Sequence, residues 1–225
     1  MAARGDVCAV LVHAPSLEIQ YLSSGAISNQ TIFAYNFFII VGPPDDPANI
    51  SRASNAVEAF RRIYEAAEKG LTVFISRGDG SGTHVKELQL WNASGFNPSG
   101  KPWYRECGCG MTEALIMANE MNGYTLSDVG TFLKLKRDGR IQNLVELYSN
   151  STELINVYSA YLSAKCSGPE RDYAFKFIQF LASDEGQKLV ESYGVDEYGR
   201  RLFYPAKGYE EWLSEVWSKL AGISK

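Results

Sequence analysis

The sequence predicts an α/β fold with a largely parallel sheet. Three observations carry that expectation. Strand-like apolar runs and helix-like amphipathic stretches alternate from residue 7 to residue 161. A strand over residues 71–76 runs directly into a glycine-spaced polar loop and a helix start, which is where open α/β sheets place their ligands. The chain has 225 residues, 45% hydrophobic and 21% charged, enough for one large domain or two small ones.

The elements follow in order. Val7-Cys8-Ala9-Val10-Leu11-Val12 is a continuous apolar run, as in a strand buried on both faces. Residues 32–41 form a second, and Gly42-Pro43-Pro44-Asp45-Asp46-Pro47 then breaks the chain. Ser54 is placed to cap a helix reaching Lys69, with Val57, Phe60, Ile63, Tyr64 and Ala67 on one stripe and Gly70 as its stop. After the strand over 71–76, a helix over 83–93 carries Val85, Leu88 and Trp91 on one side and ends at Ser94-Gly95. Residues 96–110 read as irregular. A helix over 112–121 stops at Gly123, residues 124–126 form a short strand, and Ser127 caps a helix to residue 137. Strands follow over 144–148 and 154–161. Pro169 opens a helix ending near residue 182, Ser183 caps another to residue 193, and residues 209–220 form a last amphipathic helix.

Composition narrows the partners. A net charge of −4 and the lack of any Lys/Arg stripe argue against nucleic acid. An anion would have to bind in a local positive site against the global field. The longest apolar run, 32–42, is short and interrupted by Asn36, so it reads as a core strand and the chain as not itself membrane-spanning. Met1-Ala2-Ala3-Arg4-Gly5-Asp6 lacks the apolar region of a signal peptide. Taken literally this means cytoplasm; otherwise the true N-terminus lies elsewhere. Cys8, Cys107, Cys109 and Cys166 read as reduced thiols. Cys107-Gly108-Cys109 is too short for zinc spacing, and only His13 and His84 could complete a site. Four glycosylation sequons, at Asn29, Asn49, Asn92 and Asn150, are a faint extracellular hint.

The chemistry concentrates in Ser76-Arg77-Gly78-Asp79-Gly80-Ser81-Gly82-Thr83-His84. Glycine lets the backbone turn sharply and approach a ligand. Ser81 and Thr83 carry hydroxyl donors, and the N–H groups of residues 82–84 are helix-start orphans that need acceptors. The helix dipole favours an anion there, and Arg77 adds a fixed charge with forked donors. The plainer alternative is a self-capped helix start, with Asp79 or Ser81 accepting those N–H bonds and Arg77 paired to Asp79. A P-loop is excluded because no lysine stands between residues 70 and 85, and a dinucleotide fingerprint because Thr83 occupies the third glycine position.

The loop resembles the signature of the tungstate-binding proteins of ABC uptake systems, the TupA-type family of periplasmic binding proteins. Other segments are similar in order: Gly5-Asp6 with Val10-Leu11-Val12-His13-Ala14-Pro15; Tyr35-Asn36-Phe37-Phe38-Ile39-Ile40-Val41-Gly42-Pro43; Gly110-Met111; Met117-Ala118-Asn119-Glu120; Tyr124-Thr125-Leu126-Ser127-Asp128; and Phe180-Leu181-Ala182-Ser183-Asp184-Glu185-Gly186-Gln187. The resemblance spans residues 5–205. It implies a type II periplasmic-binding-protein fold, two α/β lobes joined by two hinge strands. Lobe I would comprise 1–41 and 156–225, and lobe II, 42–155, would carry the oxyanion loop.

By the same resemblance the ligand is a tetrahedral oxyanion, tungstate first and molybdate next. Arg77, Ser81 and Thr83 would bind it through side chains, and Gly82 and His84 through main-chain donors. Tyr124 and Thr125 would lie near the cleft, although Tyr124 also reads as an ordinary strand aromatic. An ABC permease is the implied partner, no cofactor or metal is expected, and the implied address is extracellular or periplasmic. The chain departs from the family twice. The family's first Thr/Ser-rich turn has no counterpart here, so lobe I should be incomplete and one wall of the clamp absent, which would weaken binding. Val129 stands where the family usually has Arg. Phosphate- or sulfate-type binding is the nearest alternative. In a phosphate site the loop Asp accepts a proton from the ligand, whereas beside tungstate Asp79 must turn away and brace the loop. A cytoplasmic oxyanion-sensing domain is another alternative. An enzyme is not expected, because no His–nucleophile pair is present.

Overall fold

A computed structural model describes residues 4–223. In chain order the elements are β1 (Ala9–Val12), α1 (Pro15–Ser23), β2 (Ile27–Gly42), α2 (Ala56–Glu68), β3 (Phe74–Ser76), α3 (Gly82–Ser94), β4 (Tyr104–Glu106), α4 (Met111–Met121), β5 (Thr125–Asp128), α5 (Val129–Arg137), β6 (Val145–Tyr148), β7 (Ile155–Ser163), α6 (Gly168–Ala182), α7 (Asp184–Ser192), α8 (Val195–Tyr198), β8 (Tyr204–Pro205) and α9 (Glu210–Leu220). The chain divides into two compact units, one of residues 1–36 with 156–225 and the other of residues 37–155.

In the first unit β7 lies between β1 and β2. Strands β1 and β7 are antiparallel with Ala9 opposite Leu162, and β8 joins β2 antiparallel at Ala34 and Tyr35. Helix α6 packs Ala174 and Ile178 against Ala160 and Leu162 of the sheet. The buried Glu18 carboxylate of α1 accepts from the Tyr161 hydroxyl at 2.6 Å and from Trp217 Nε1 of α9 at 2.7 Å, so its oxygens are met by donors rather than left bare.

In the second unit β2 pairs antiparallel with β5 and β6, and β3 pairs parallel with β4. The core is aromatic. Phe60 of α2, Phe74 of β3, Trp91 of α3 and Trp103 and Tyr104 cluster together, with Phe60 and Trp91 edge to face at 4.6 Å. Strand β3 is buried throughout and is bonded on both sides, Phe74 N to Trp103 O and Ile75 N to Tyr124 O. The loop that follows Ser76 therefore leaves from a fixed base.

Several expectations need correction. The sheet is not largely parallel: the pairings β1–β7, β2–β5, β2–β6 and β2–β8 all run antiparallel. Alternating strands and helices do not fix direction when one strand of 16 residues, β2, takes β8 at Ala34 and Tyr35 and β5 and β6 between Phe38 and Gly42. Strand β1 is only partly buried, with Leu11 45% exposed, so its apolar run does not mark a strand covered on both faces. The cysteines are not thiols. Cys8 bonds Cys166, and Cys107 bonds Cys109. Cys8 precedes β1 and Cys166 follows β7, and the antiparallel pairing brings those ends together, with Ser163 N donating to Cys8 O.

Two helices are capped one residue later than the sequence suggests. Asn55, not Ser54, caps α2 by accepting from Glu58 N at 2.8 Å, and Asp128, not Ser127, caps α5 by accepting from Thr131 N at 2.7 Å. Ser183 caps α7 as expected. Residues 96–110 contain the short strand β4. Helix α1 has no side-chain cap to announce it; Pro15 in its first turn and the Glu18 carboxylate on Ala14 N are its signals.

Candidate functional site

The candidate site is the β3–α3 turn. Ser76 ends β3 buried, and its hydroxyl donates to Glu87 Oε2 at 2.7 Å while accepting from Gly78 N at 3.2 Å. Gly78 turns the chain at φ +60°, and a Cβ there would stand 3.0 Å from the Glu106 Cβ. Glycine is required twice over, by the left-handed backbone and by the close neighbour. Gly80 is also left-handed, at φ +71°.

Helix α3 starts at Gly82 with Ser81 as its N-cap. The Ser81 Oγ accepts from His84 N at 3.4 Å, and Val85 N reaches Ser81 O at 2.8 Å. Gly80 N donates to His84 Nδ1 at 3.0 Å. A ring nitrogen that accepts must be unprotonated, so the imidazole hydrogen sits on Nε2. That nitrogen is buried with no hydrogen-bond partner among the described residues. The Gly82 and Thr83 N–H groups, at the first two helical positions, have no intrahelical acceptor by geometry.

Arg77 lies across this turn. Its Nη2 is paired with Asp79 Oδ2, its Nε donates to Cys109 O at 3.4 Å, and its Nη1 approaches Thr83 Oγ1 at 3.5 Å. Three of the five guanidinium N–H bonds are thus engaged. Asp79 Oδ1 accepts from Ser81 N at 3.1 Å. Burial alone would raise the Asp79 carboxyl; the hydrogen bonds from Ser81 and the Arg77 charge outweigh it and hold it below its ordinary value. Both bonds of the self-capped alternative are therefore present, Ser81 on the helix start and Asp79 on Arg77. The turn still offers the Gly82 and Thr83 amides, the Thr83 hydroxyl proton and the remaining guanidinium edge.

The structure brings Arg77, Ser81, Gly82, Thr83 and His84 into this one turn. It places Tyr124 and Thr125 elsewhere in the second unit's core. The Tyr124 hydroxyl donates to Asp46 Oδ1 at 2.7 Å and accepts from Ala48 N at 2.9 Å, and the Thr125 hydroxyl donates to Ile75 O at 2.8 Å. Burial raises the Tyr124 phenol well above its ordinary value. Lys86 also points away: its Nζ donates to Glu153 O at 3.1 Å, and burial lowers it to about 8.

The residues that sequence reasoning missed are Cys107 and Cys109. Cys107 N donates to Ser76 O and Cys109 N to Arg77 O, both at 3.0 Å, extending the β3–β4 pairing beside the loop. Two cysteines one residue apart, too close for a metal, were a usable signal of a local bridge. Beneath the turn, Glu87 is buried and accepts from Ser76, from Trp91 Nε1 at 3.1 Å and from the Tyr104 hydroxyl at 2.7 Å. Burial pushes its carboxyl up to about 7, against the pull of those three donors. Among the described residues no cluster of three or more His, Cys, Asp or Glu could hold a metal ion, and no helix is long and apolar enough to cross a membrane.

Residues 1–185 match the family described as PBP superfamily domain. The chain is 41% identical over 208 residues to an ABC transporter anion-binding protein of Haloferax volcanii, covering 91% of this chain and 59% of that protein. It is 36% identical over 209 residues to the tungstate-binding protein TupA of Peptoclostridium acidaminophilum, covering 91% of this chain and 70% of that one. The chain therefore spans 59–70% of the length of these two relatives. Among solved structures it is similar to the tungstate-binding protein TupA of Desulfovibrio alaskensis G20, with a TM-score of 0.77 and 35% identity over 91% of this chain and 81% of that one.

Proposed function

Since the chain belongs to the PBP superfamily, among its TupA-type tungstate-binding proteins, we propose that it captures a tetrahedral oxyanion for an ABC importer, with tungstate as the preferred ligand and molybdate next. The β3–α3 turn supplies the binding groups. Arg77 provides charge and a forked pair of donors, the Gly82 and Thr83 amides supply the positive helix end, and Thr83 adds a hydroxyl. Ser81 and the His84 amide, bonded to each other within the turn, exchange that bond for the anion. Tyr124 and Thr125 support the turn from the core.

The observation that carries the choice of ligand is the state of Asp79. Both of its oxygens are occupied, one by Arg77 and one by Ser81 N, and its carboxyl is held ionised. Turned to Arg77 and Ser81 N, the carboxylate braces the loop and its charge is spent on its own partners, so a fully deprotonated anion meets the donors of the turn with less repulsion. The likeness to a tungstate-binding relative then sets tungstate first among such anions. Two disulfides suit an oxidising compartment, in keeping with a periplasmic or extracellular address. The permease is the partner that takes the ligand onward, and no catalytic step is assigned to the site.

Isothermal titration of the chain with sodium tungstate tests the reading. Saturable binding that disappears in Arg77→Ala and weakens in Thr83→Val supports it. Titration unaffected by either change would overturn the placement of the site.

A further inference from the structure

We propose that the Cys107–Cys109 disulfide is a positioning element for oxyanion binding, acting through Arg77. The inference rests on the reading that the β3–α3 turn holds the anion. The bridge closes a bend of three residues in which Gly108 is left-handed at φ +61°. Closing the bend aims two amides in register, Cys107 N at Ser76 O and Cys109 N at Arg77 O. It also turns the Cys109 carbonyl toward the guanidinium, which donates to it from Nε. The Arg77 backbone and side chain are thus both held by one cross-linked segment.

The other Arg77 partners directly follow it in the chain: Asp79 lies in the glycine-spaced loop, and Thr83 stands in the first turn of α3, at the long distance of 3.5 Å. Cys109 is the partner anchored outside that loop, since the segment continues β4 on one side and enters α4 on the other. A three-residue cross-link removes little freedom from the unfolded chain, so its effect is local. Both cysteines are partly exposed, within reach of a reductant. A dithiol supplies two electrons and two protons, becomes a disulfide itself, and leaves Cys107 and Cys109 as thiols. The bend is then no longer held closed and the guanidinium loses its outside anchor.

The test is titration with sodium tungstate of the oxidised chain, of Cys107→Ser with Cys109→Ser, of Arg77→Lys, and of the triple variant. The paired serine change is expected to weaken binding about tenfold or more, the scale of a misplaced charge-assisted contact, with the thermal midpoint little changed. In the Arg77→Lys background the same change should cost clearly less, because lysine has no fork to aim. Equal affinity within about twofold, or an undiminished loss in the lysine background, would overturn the role through Arg77. If the serine pair fails to fold, wild-type chain treated with dithiol, alkylated at Cys107 and Cys109, and shown by mass spectrometry to retain Cys8–Cys166 gives the same comparison. An oxidised wild-type chain that binds no oxyanion refutes the underlying reading itself, separately from any effect of the cysteines.

Discussion

Arg77 and Cys109 are bonded to each other in both directions: the Cys109 amide donates to the Arg77 carbonyl at 3.0 Å, and Arg77 Nε donates to the Cys109 carbonyl at 3.4 Å. The guanidinium is thereby aimed by a neighbour outside its own loop. Its geometry as well as its charge should matter. Arg77→Lys keeps the charge and loses the fork, and tungstate affinity should fall about tenfold or more. Arg77→Ala should abolish measurable binding. Titration calorimetry on both, with circular dichroism to confirm folding, checks the order.

Gly78 is the second point of constraint. Its φ is +60°, and a side-chain Cβ added there would stand 3.0 Å from the Glu106 Cβ, so Glu106 must give way for alanine. Gly78→Ala should cost about 1–3 kcal/mol of stability, from backbone strain and the contact together. It should also weaken anion binding, because the strain is relieved by shifting Arg77. Gly139, left-handed with open space around it, is the control: Gly139→Ala should lose about 1 kcal/mol from backbone strain alone and leave binding intact. Chemical denaturation with tungstate titration separates the two.

Glu87 should make the second unit's stability depend on pH. Its carboxyl is raised from 4.5 to about 7 by burial. A raised acid binds its proton more tightly folded than unfolded. Its contribution is therefore greatest below the unfolded value and is lost as pH rises through about 7. The loss is of order 3 kcal/mol between pH 4.5 and pH 8. Glu87→Gln should flatten this slope, since its amide can donate to Ser76 Oγ while its carbonyl accepts from Trp91 and Tyr104. Thermal midpoints measured from pH 5 to pH 8 on both proteins read the difference. An unchanged slope would place the titration elsewhere.

The Cys8–Cys166 bridge should act on stability alone. It spans 158 residues and joins the ends of β1 and β7 in the first unit. Replacing both cysteines by serine should lower the unfolding free energy by about 2–5 kcal/mol. The oxyanion turn, in the other unit, should titrate as before.

Much of the fold was legible because local signals agree with the final structure. The stripe of Phe60, Ile63 and Ala67 does face the core, and the glycine-spaced loop does open a helix. Sheet direction was not legible. It depends on which strands meet along β2, a matter of long-range pairing that alternation cannot encode. The Cys8–Cys166 pair was invisible for the same reason, whereas the short spacing of Cys107 and Cys109 rules out zinc without ruling out a local bridge. At the turn, the residue types disclosed a donor-rich helix start. They did not disclose that Asp79 and Ser81 already occupy part of it, because glycine-rich backbone can aim the same side chains inward or outward.

The most direct test of the central claim is a competition titration of the chain, loaded with tungstate, against molybdate, sulfate and phosphate at neutral pH. The engaged Asp79 predicts that molybdate displaces tungstate most readily and that phosphate displaces it least. Tight preferential binding of phosphate would contradict it and would make Asp79 the acceptor of a ligand proton rather than a brace of the loop.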